Sequence, residues 1–166
     1  MGVIDELLAR LDRQQGRDPN SEALSDTATP RRRVAIVACM DPRADPCALL
    51  SLTDGDAHVL RNAGGVVTDD MIRSLAISQR KLGTEEVMLI HHTDCDLQTF
   101  NDDHFRDEIR RDSGIKPSWS AETFGDLDAE VRQSIARVET SPFLLHVDRV
   151  RGFVHDLVSG QLREVT

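Results

Sequence analysis

Apolar and polar positions fall into blocks along this chain of 166 residues, and most blocks have a readable period. Ile4, Leu7, Leu8 and Leu11 recur at helical spacing and predict a short amphipathic helix over residues 3–14. Residues 15–33 are polar and turn-rich and read as an arm. At 34–39 the run VAIVAC is continuously apolar and rich in β-branched residues, the mark of a strand buried on both faces. AHVLR at 57–61 predicts a second strand, ended by Asn62-Ala63-Gly64-Gly65. Thr68 then caps an expected helix with Asp69 and Asp70 in its first turn, an Ile72, Leu75, Ala76, Leu82 stripe, and Gly83 as its stop. EVMLIH at 86–91 predicts a third strand. Asn101 caps the next helix, which carries Asp102 and Asp103 at its start, Arg110 and Arg111 at its end, and Gly114 beyond. After an irregular loop over 114–125, Asp126 opens a helix with Leu127, Val131, Ile135 and Val138 facing inward. FLLHV at 143–147 is expected as the fourth strand, and the segments flanking Ser159-Gly160 as a hairpin with a two-residue turn.

This alternation predicts an α/β fold: a mainly parallel central sheet flanked by helices, with an antiparallel C-terminal hairpin. Residues 1–33 form an N-terminal helix and arm in this reading, and 34–166 the α/β domain. The length suits one domain, at roughly 100–200 residues each. With 39% hydrophobic and 30% charged residues, the chain is too apolar for disorder. Twenty Lys and Arg against 29 Asp and Glu give a net charge of −9, which argues against nucleic acid or an anionic membrane as partner. Arg31, Arg32 and Arg33 therefore read as a solvated flank to the next strand. Three cysteines are no disulfide scaffold. No stretch approaches the roughly 20 apolar residues of a membrane span, and Asp5 and Glu6 stand where a signal peptide would be basic. The expectation is a cytoplasmic chain whose thiols are metal ligands, reactive groups or buried packing residues.

Two segments carry candidate chemistry, Cys39-x-Asp41-x-Arg43 and His92-x-x-Cys95. Both follow buried strands, and sites in open α/β sheets form outside the carboxyl ends of strands. If strands 34–39 and 86–91 are neighbours, Cys39, His92 and Cys95 converge. Two thiolates and an imidazole suit Zn²⁺ and leave a fourth position for water. On spacing alone, buried packing cysteines account for the pattern equally well. Asp41 and Arg43 could form a plain structural salt bridge, the commoner use of such a pair. Beside a zinc-bound water, Arg43 would instead hold Asp41 ionised and aim its free oxygen at that water.

Together these segments resemble the β-class carbonic anhydrases, in which Cys-x-Asp-x-Arg precedes His-x-x-Cys by about fifty residues. The Asn62-Ala63-Gly64 turn, the Thr68-Asp69-Asp70 helix start, the run at 74–78 and the segment 151–162 are also similar to the small bacterial and archaeal branch of that class. The resemblance implies one Zn²⁺ per chain on Cys39, His92 and Cys95, with Asp41 and Arg43 as a catalytic dyad. It implies reversible hydration of CO₂ to bicarbonate by zinc-bound hydroxide, and a homodimer or multiple of dimers with the N-terminal helix reaching across. Two thiolates neutralise the metal's charge, so activity is expected to rise toward alkaline pH. In the family, the counterpart of Asp41 can also leave its Arg and bind zinc.

One position departs from the family pattern: Asp96 replaces the usual Gly after His-x-x-Cys. A solvent-facing helix start would accept Asp, whereas a positive-φ position would suit it less well. Core packing is the simplest use of Val66, Met71 and Leu97, with pocket lining the alternative. Gly64 and Gly65 suit a tight turn and close backbone approach. His91 is expected to point away from His92 and pack. His58, His104, His146 and His155 read as surface or satisfied core residues, and Cys47 as a buried small residue. A cysteine-phosphatase loop is excluded, because only three residues, one of them Pro42, separate Cys39 from Arg43. Two rivals keep the zinc: a hydrolase of a CO₂-like molecule such as carbon disulfide or carbonyl sulfide, and a non-catalytic regulator with the same fold.

Overall fold

The computed structural model describes residues 28–166, together with Val3, Ile4 and Leu8. Most of the helix expected over 3–14 and most of the arm at 15–33 fall outside the described residues. Five strands and four helices follow: β1 (Val34–Cys39), α1 (Pro46–Leu49), β2 (His58–Asn62), α2 (Asp69–Leu82), β3 (Glu86–His92), α3 (Asp102–Ser113), α4 (Leu127–Glu139), β4 (Val150–His155) and β5 (Leu162–Val165). Short 3₁₀ turns at Ala63–Gly65 and Asp96–Gln98 follow β2 and β3.

The sheet order is β2-β1-β3-β4-β5, with four parallel strands and β5 antiparallel to β4. Parallel strands covered on both faces must be apolar throughout. Accordingly, every residue of β1 after Val34 is buried. On one face Ala35, Val37 and Leu89 pack with Leu75 of α2 and Val138 of α4. On the other, Ile36, Ala38 and Ile90 pack with Leu49, Leu50 and Leu52 around α1. Helix ends follow the sequence signals. Thr68 accepts from Met71 N at 3.3 Å, and Asn101 from Asp103 N and His104 N. Asp126 accepts from Ala129 N, and Gly83 and Gly114 stop α2 and α3 in the left-handed region. Arg31 and Arg32 pair with Asp56, and Arg33 with Glu85, so the basic run flanks β1 as expected.

Two expectations fail at the C-terminal end. Residues 143–147 form no strand; the fourth strand is Val150–His155. Leu145 N and His146 N both donate to Gln79 Oε1, so a side chain satisfies backbone that a ladder would otherwise use. Leu144 still enters the core, while Phe143 and Leu145 are exposed. The β4–β5 connection is also longer than a two-residue turn and spans residues 156–161. The Asp156 carboxylate accepts from Val158 N and Ser159 N, which builds a wider loop that closes at Gly160.

Candidate metal centre

Residues at the carboxyl ends of β1 and β3 meet because these strands are direct neighbours in register. Cys39 ends β1 and His92 ends β3, and Cys95 lies three residues further on. Their ligating atoms all lie within 4.8 Å of one another, and all three residues are buried. Among the described residues this is the one such cluster. Thr93 pins the segment to β4: its N donates to the His155 carbonyl at 3.0 Å, and its hydroxyl accepts from Leu157 N.

The glycines after β2 make room for this arrangement. Gly65 has φ of +70°, and a Cβ there would stand 2.8 Å from Cys39 N and 2.9 Å from the Ala38 carbonyl carbon. The backbones of the 3₁₀ turn and of β1 thus approach more closely than any side chain permits. Arg61, at the end of β2, holds the other flank of the loop. Its Nε donates to the Cys39 carbonyl at 2.8 Å, and its Nη2 to the carbonyls of Asp41 and Ala44.

The donor set fits a tetrahedral cation such as zinc. His92 Nδ1 lies 2.8 Å from the Thr93 carbonyl, which can only accept, so Nδ1 carries the proton. Nε2 is then a lone pair, buried and without a hydrogen-bond partner. Burial disfavours the imidazolium, but the neighbouring Cys39 sulfur and the Thr93 carbonyl outweigh it and raise the His92 pKa. A hydrogen bond between the two free thiols favours the Cys39 thiolate and, with burial, pushes the Cys95 thiol up. Binding a cation would require both sulfurs as thiolates, so it would release the remaining thiol proton. Two sulfurs and one nitrogen leave a fourth position open.

Asp41 lies at the rim of this cluster, 4.0 Å from His92 Nε2. It forms a fork with Arg43, whose Nη2 donates to Oδ2 at 2.7 Å and Nε to Oδ1 at 3.1 Å. These bonds hold the Asp41 pKa down at about 2. The far edge of the same guanidinium turns to Asp94: Nη1 reaches its carboxylate at 2.7 Å and Nη2 its carbonyl at 3.0 Å. Asp94 has φ of +57°, a left-handed conformation that Asp tolerates better than most residues.

A cavity of about 310 Å³ opens beside the cluster, lined by Cys39, Asp41 and Cys95 with Met40, Gly64 and Leu97. Asp96 also borders it. A larger groove of about 700 Å³ along Phe100, His104 and Phe105 contains no ligating cluster.

The chain matches the family model described as carbonic anhydrase over residues 34–119. Beta-carbonic anhydrase 1 of Mycobacterium tuberculosis is 54% identical over 137 residues, covering 82% of this chain and 84% of that protein. The chain belongs to the β-carbonic anhydrase family. A crystal structure of carbonic anhydrase from Streptococcus mutans superposes with a TM-score of 0.89 at 38% identity, over 100% of this chain and 99% of that one. The carbon disulfide hydrolase of Saccharolobus solfataricus is 42% identical over 85 residues, 51% of this chain and 41% of that protein.

Within this β-carbonic anhydrase fold, the structure brings together all five residues singled out from the two motifs. Asp96 is exposed, does not have positive φ, and begins the 3₁₀ turn at Asp96–Gln98, so the solvent-facing helix start applies. Leu97 lines the cavity, Val66 packs beside the two cysteines, and Met71 belongs to the main core. His91 is fully buried edge-on to Phe124, with neither ring nitrogen bonded. His58 is satisfied by Ser78 and the Ala28 carbonyl. Cys47 corrects its expectation: it is exposed, because Pro46 takes the buried place in the single turn of α1. Sequence reasoning missed Arg61 and Asp94. The position of Asp94 between two candidate ligands was the available signal; for Arg61 there was none.

Proposed function

We propose that this chain catalyses the reversible hydration of CO₂ to bicarbonate, with one zinc ion held by Cys39, His92 and Cys95. The observation that carries this reading is the meeting of three buried ligating atoms with the Asp41–Arg43 fork in one cavity. Zinc, when bound, supplies the Lewis acidity that brings the pKa of water down toward neutrality. Cys39 and Cys95 bind as thiolates and His92 through Nε2, its ring fixed by the Thr93 carbonyl.

Asp41 acts as an acceptor. Arg43 keeps it ionised at any physiological pH, so it can take a hydrogen bond from water in the cavity but cannot give one. Water so held turns a lone pair toward the CO₂ carbon. Met40, Gly64 and Leu97 offer apolar wall to a small uncharged molecule. Water and CO₂ give bicarbonate and a proton, and the proton leaves to buffer. The dyad and zinc assignments, a homodimer or multiple of dimers, and a cytoplasmic location in which all three cysteines stay free are parts of this same reading.

The similarity to carbon disulfide hydrolases supports a second reading, in which the same site hydrolyses a CO₂-like molecule. The higher identity to a carbonic anhydrase, 54% over 137 residues against 42% over 85 and 29% over 153 for two carbon disulfide hydrolases, favours CO₂. Rapid-mixing assays of CO₂ hydration and of sulfide release from carbon disulfide, with metal analysis on the same sample, decide between them. Zinc near one per chain with CO₂ turnover that rises toward alkaline pH is expected. Zinc present with no CO₂ turnover refutes the proposal, and sulfide release alone moves it to the second reading.

A further inference from the structure

We infer that Asp94 is a positioning residue for this reaction, bracing the edge of the Arg43 guanidinium that Asp41 does not use. The inference rests on the proposed role of the Asp41–Arg43 pair. A guanidinium presents five N–H donors in a planar fork. Here Nε and Nη2 face Asp41, while Nη1 and Nη2 face Asp94. The two acids use different edges, so they do not compete for donors.

Between them they fix the plane of a side chain that is otherwise long and half exposed. The bond spans 51 positions and ties the loop after β1 to the loop after β3. Candidate zinc ligands stand at the start of both loops: Cys39 ends β1, His92 ends β3, and Cys95 lies within the second loop.

Backbone conformation supports the same conclusion. A non-glycine residue in the left-handed region is disfavoured, and such residues persist where their surroundings hold them. At Asp94 both the carboxylate and the carbonyl accept from Arg43 in that conformation. A purely structural ion pair would do little here. The Asp94 side chain is 79% exposed, and exposed pairs add little to stability. Asp94 does not line the cavity either. Its effect is therefore expected on the order of Arg43 and on turnover, with substrate affinity and melting temperature little changed.

Four variants separate these roles. Asp94→Gly keeps the left-handed backbone and the carbonyl bond and removes only the carboxylate. Asp94→Asn keeps one acceptor oxygen. Arg43→Ala, alone and combined with Asp94→Gly, removes the group being braced. The readouts are kcat and KM for CO₂ on zinc-loaded protein, and the ¹⁵N heteronuclear NOE of Arg43 Nε–H, which reports side-chain order without reference to activity.

For Asp94→Gly we expect kcat to fall roughly tenfold, the low end of the scale of one charge-assisted hydrogen bond, with KM little changed and a lower NOE. Asn should recover part of both, and Asp94→Gly should add nothing to Arg43→Ala. An unchanged NOE and kcat overturn the inference, as does a full loss in the Arg43→Ala background. A loss confined to KM also overturns it. If the parent protein does not hydrate CO₂, the proposed function fails, and the NOE still decides whether Asp94 braces Arg43.

Discussion

Replacing Gly65 with Ala tests whether close backbone packing builds the candidate metal centre. The methyl would stand 2.8 Å from Cys39 N, against an ordinary contact of 3.4 Å, so β1 or the 3₁₀ turn must move by about 0.6 Å (3.4 − 2.8). Neither neighbour is a side chain that can rotate away, since both contacts are backbone atoms of Ala38 and Cys39. Holding Ala at φ near +70° costs about 1–2 kcal/mol. Forcing a methyl into a close-packed site costs about 1–3 kcal/mol more. For a domain of this size, each kcal/mol lowers Tm by roughly 2–4 °C, so a fall of about 5–15 °C is expected. Because the displaced atom belongs to Cys39, zinc content should fall as well. Gly64→Ala is the control. It carries the same backbone penalty, but its main obstacle is the movable Leu97 Cδ2, and it should lose less. The assay is thermal unfolding by circular dichroism with metal analysis on the same samples. A Gly65→Ala protein that melts with the parent and holds full zinc refutes the reasoning. So does a larger loss in Gly64→Ala.

Three further outcomes follow from other parts of the molecule. Arg43→Ala should let the Asp41 carboxyl rise from about 2 toward the ordinary Asp value near 3.9; carboxyl NMR titration measures this. In the parent, a folded-state pKa below the unfolded one means that this contribution to stability is complete above about pH 4 and lost as pH falls through about 2. Burial raises the pKa of Glu130, so folding favours its protonated form and its contribution declines as pH rises through that value. Glu130→Gln keeps the acceptor for Ser134 Oγ and should melt higher than the parent at pH 8 but not at pH 4; equal shifts at both would count against burial as the cause. Gly152→Ala in β4 would press a methyl into Val131 Cγ1 and to 2.8 Å from Ile135 Cδ1, both of α4, costing about 1–3 kcal/mol in denaturant unfolding.

The parallel core was legible because doubly buried strands are apolar throughout and helix caps are local signals. VAIVAC and EVMLIH needed no tertiary information, and Thr68, Asn101 and Asp126 cap as their sequence contexts imply. FLLHV looked like a strand on the same grounds. What decided against it was Gln79, a side chain more than sixty positions away that satisfies its backbone. No periodicity carries that information. The site divides the same way. Cys39, Asp41, Arg43, His92 and Cys95 were visible as spaced motifs, and β1 beside β3 was a topological condition that the fold meets. Arg61, and Asp94 beyond its place between two candidate ligands, were not visible because the Arg61–carbonyl bonds and the Asp94 bonds to Arg43 appear only once the two loops lie side by side.

The neighbouring positions of β1 and β3 also set an order of events. Cys39 and Cys95 are separated in the chain by α1, β2, α2 and β3, so a growing polypeptide cannot offer a complete ligand set until the third strand has emerged and docked. The sheet's own core is apolar and lies away from the sulfurs. Unlike a zinc finger, which collapses without its ion, this domain should reach its architecture empty and load afterwards. Cells short of the metal would then accumulate folded, fillable apoprotein, and supply rather than synthesis would govern how much of it works.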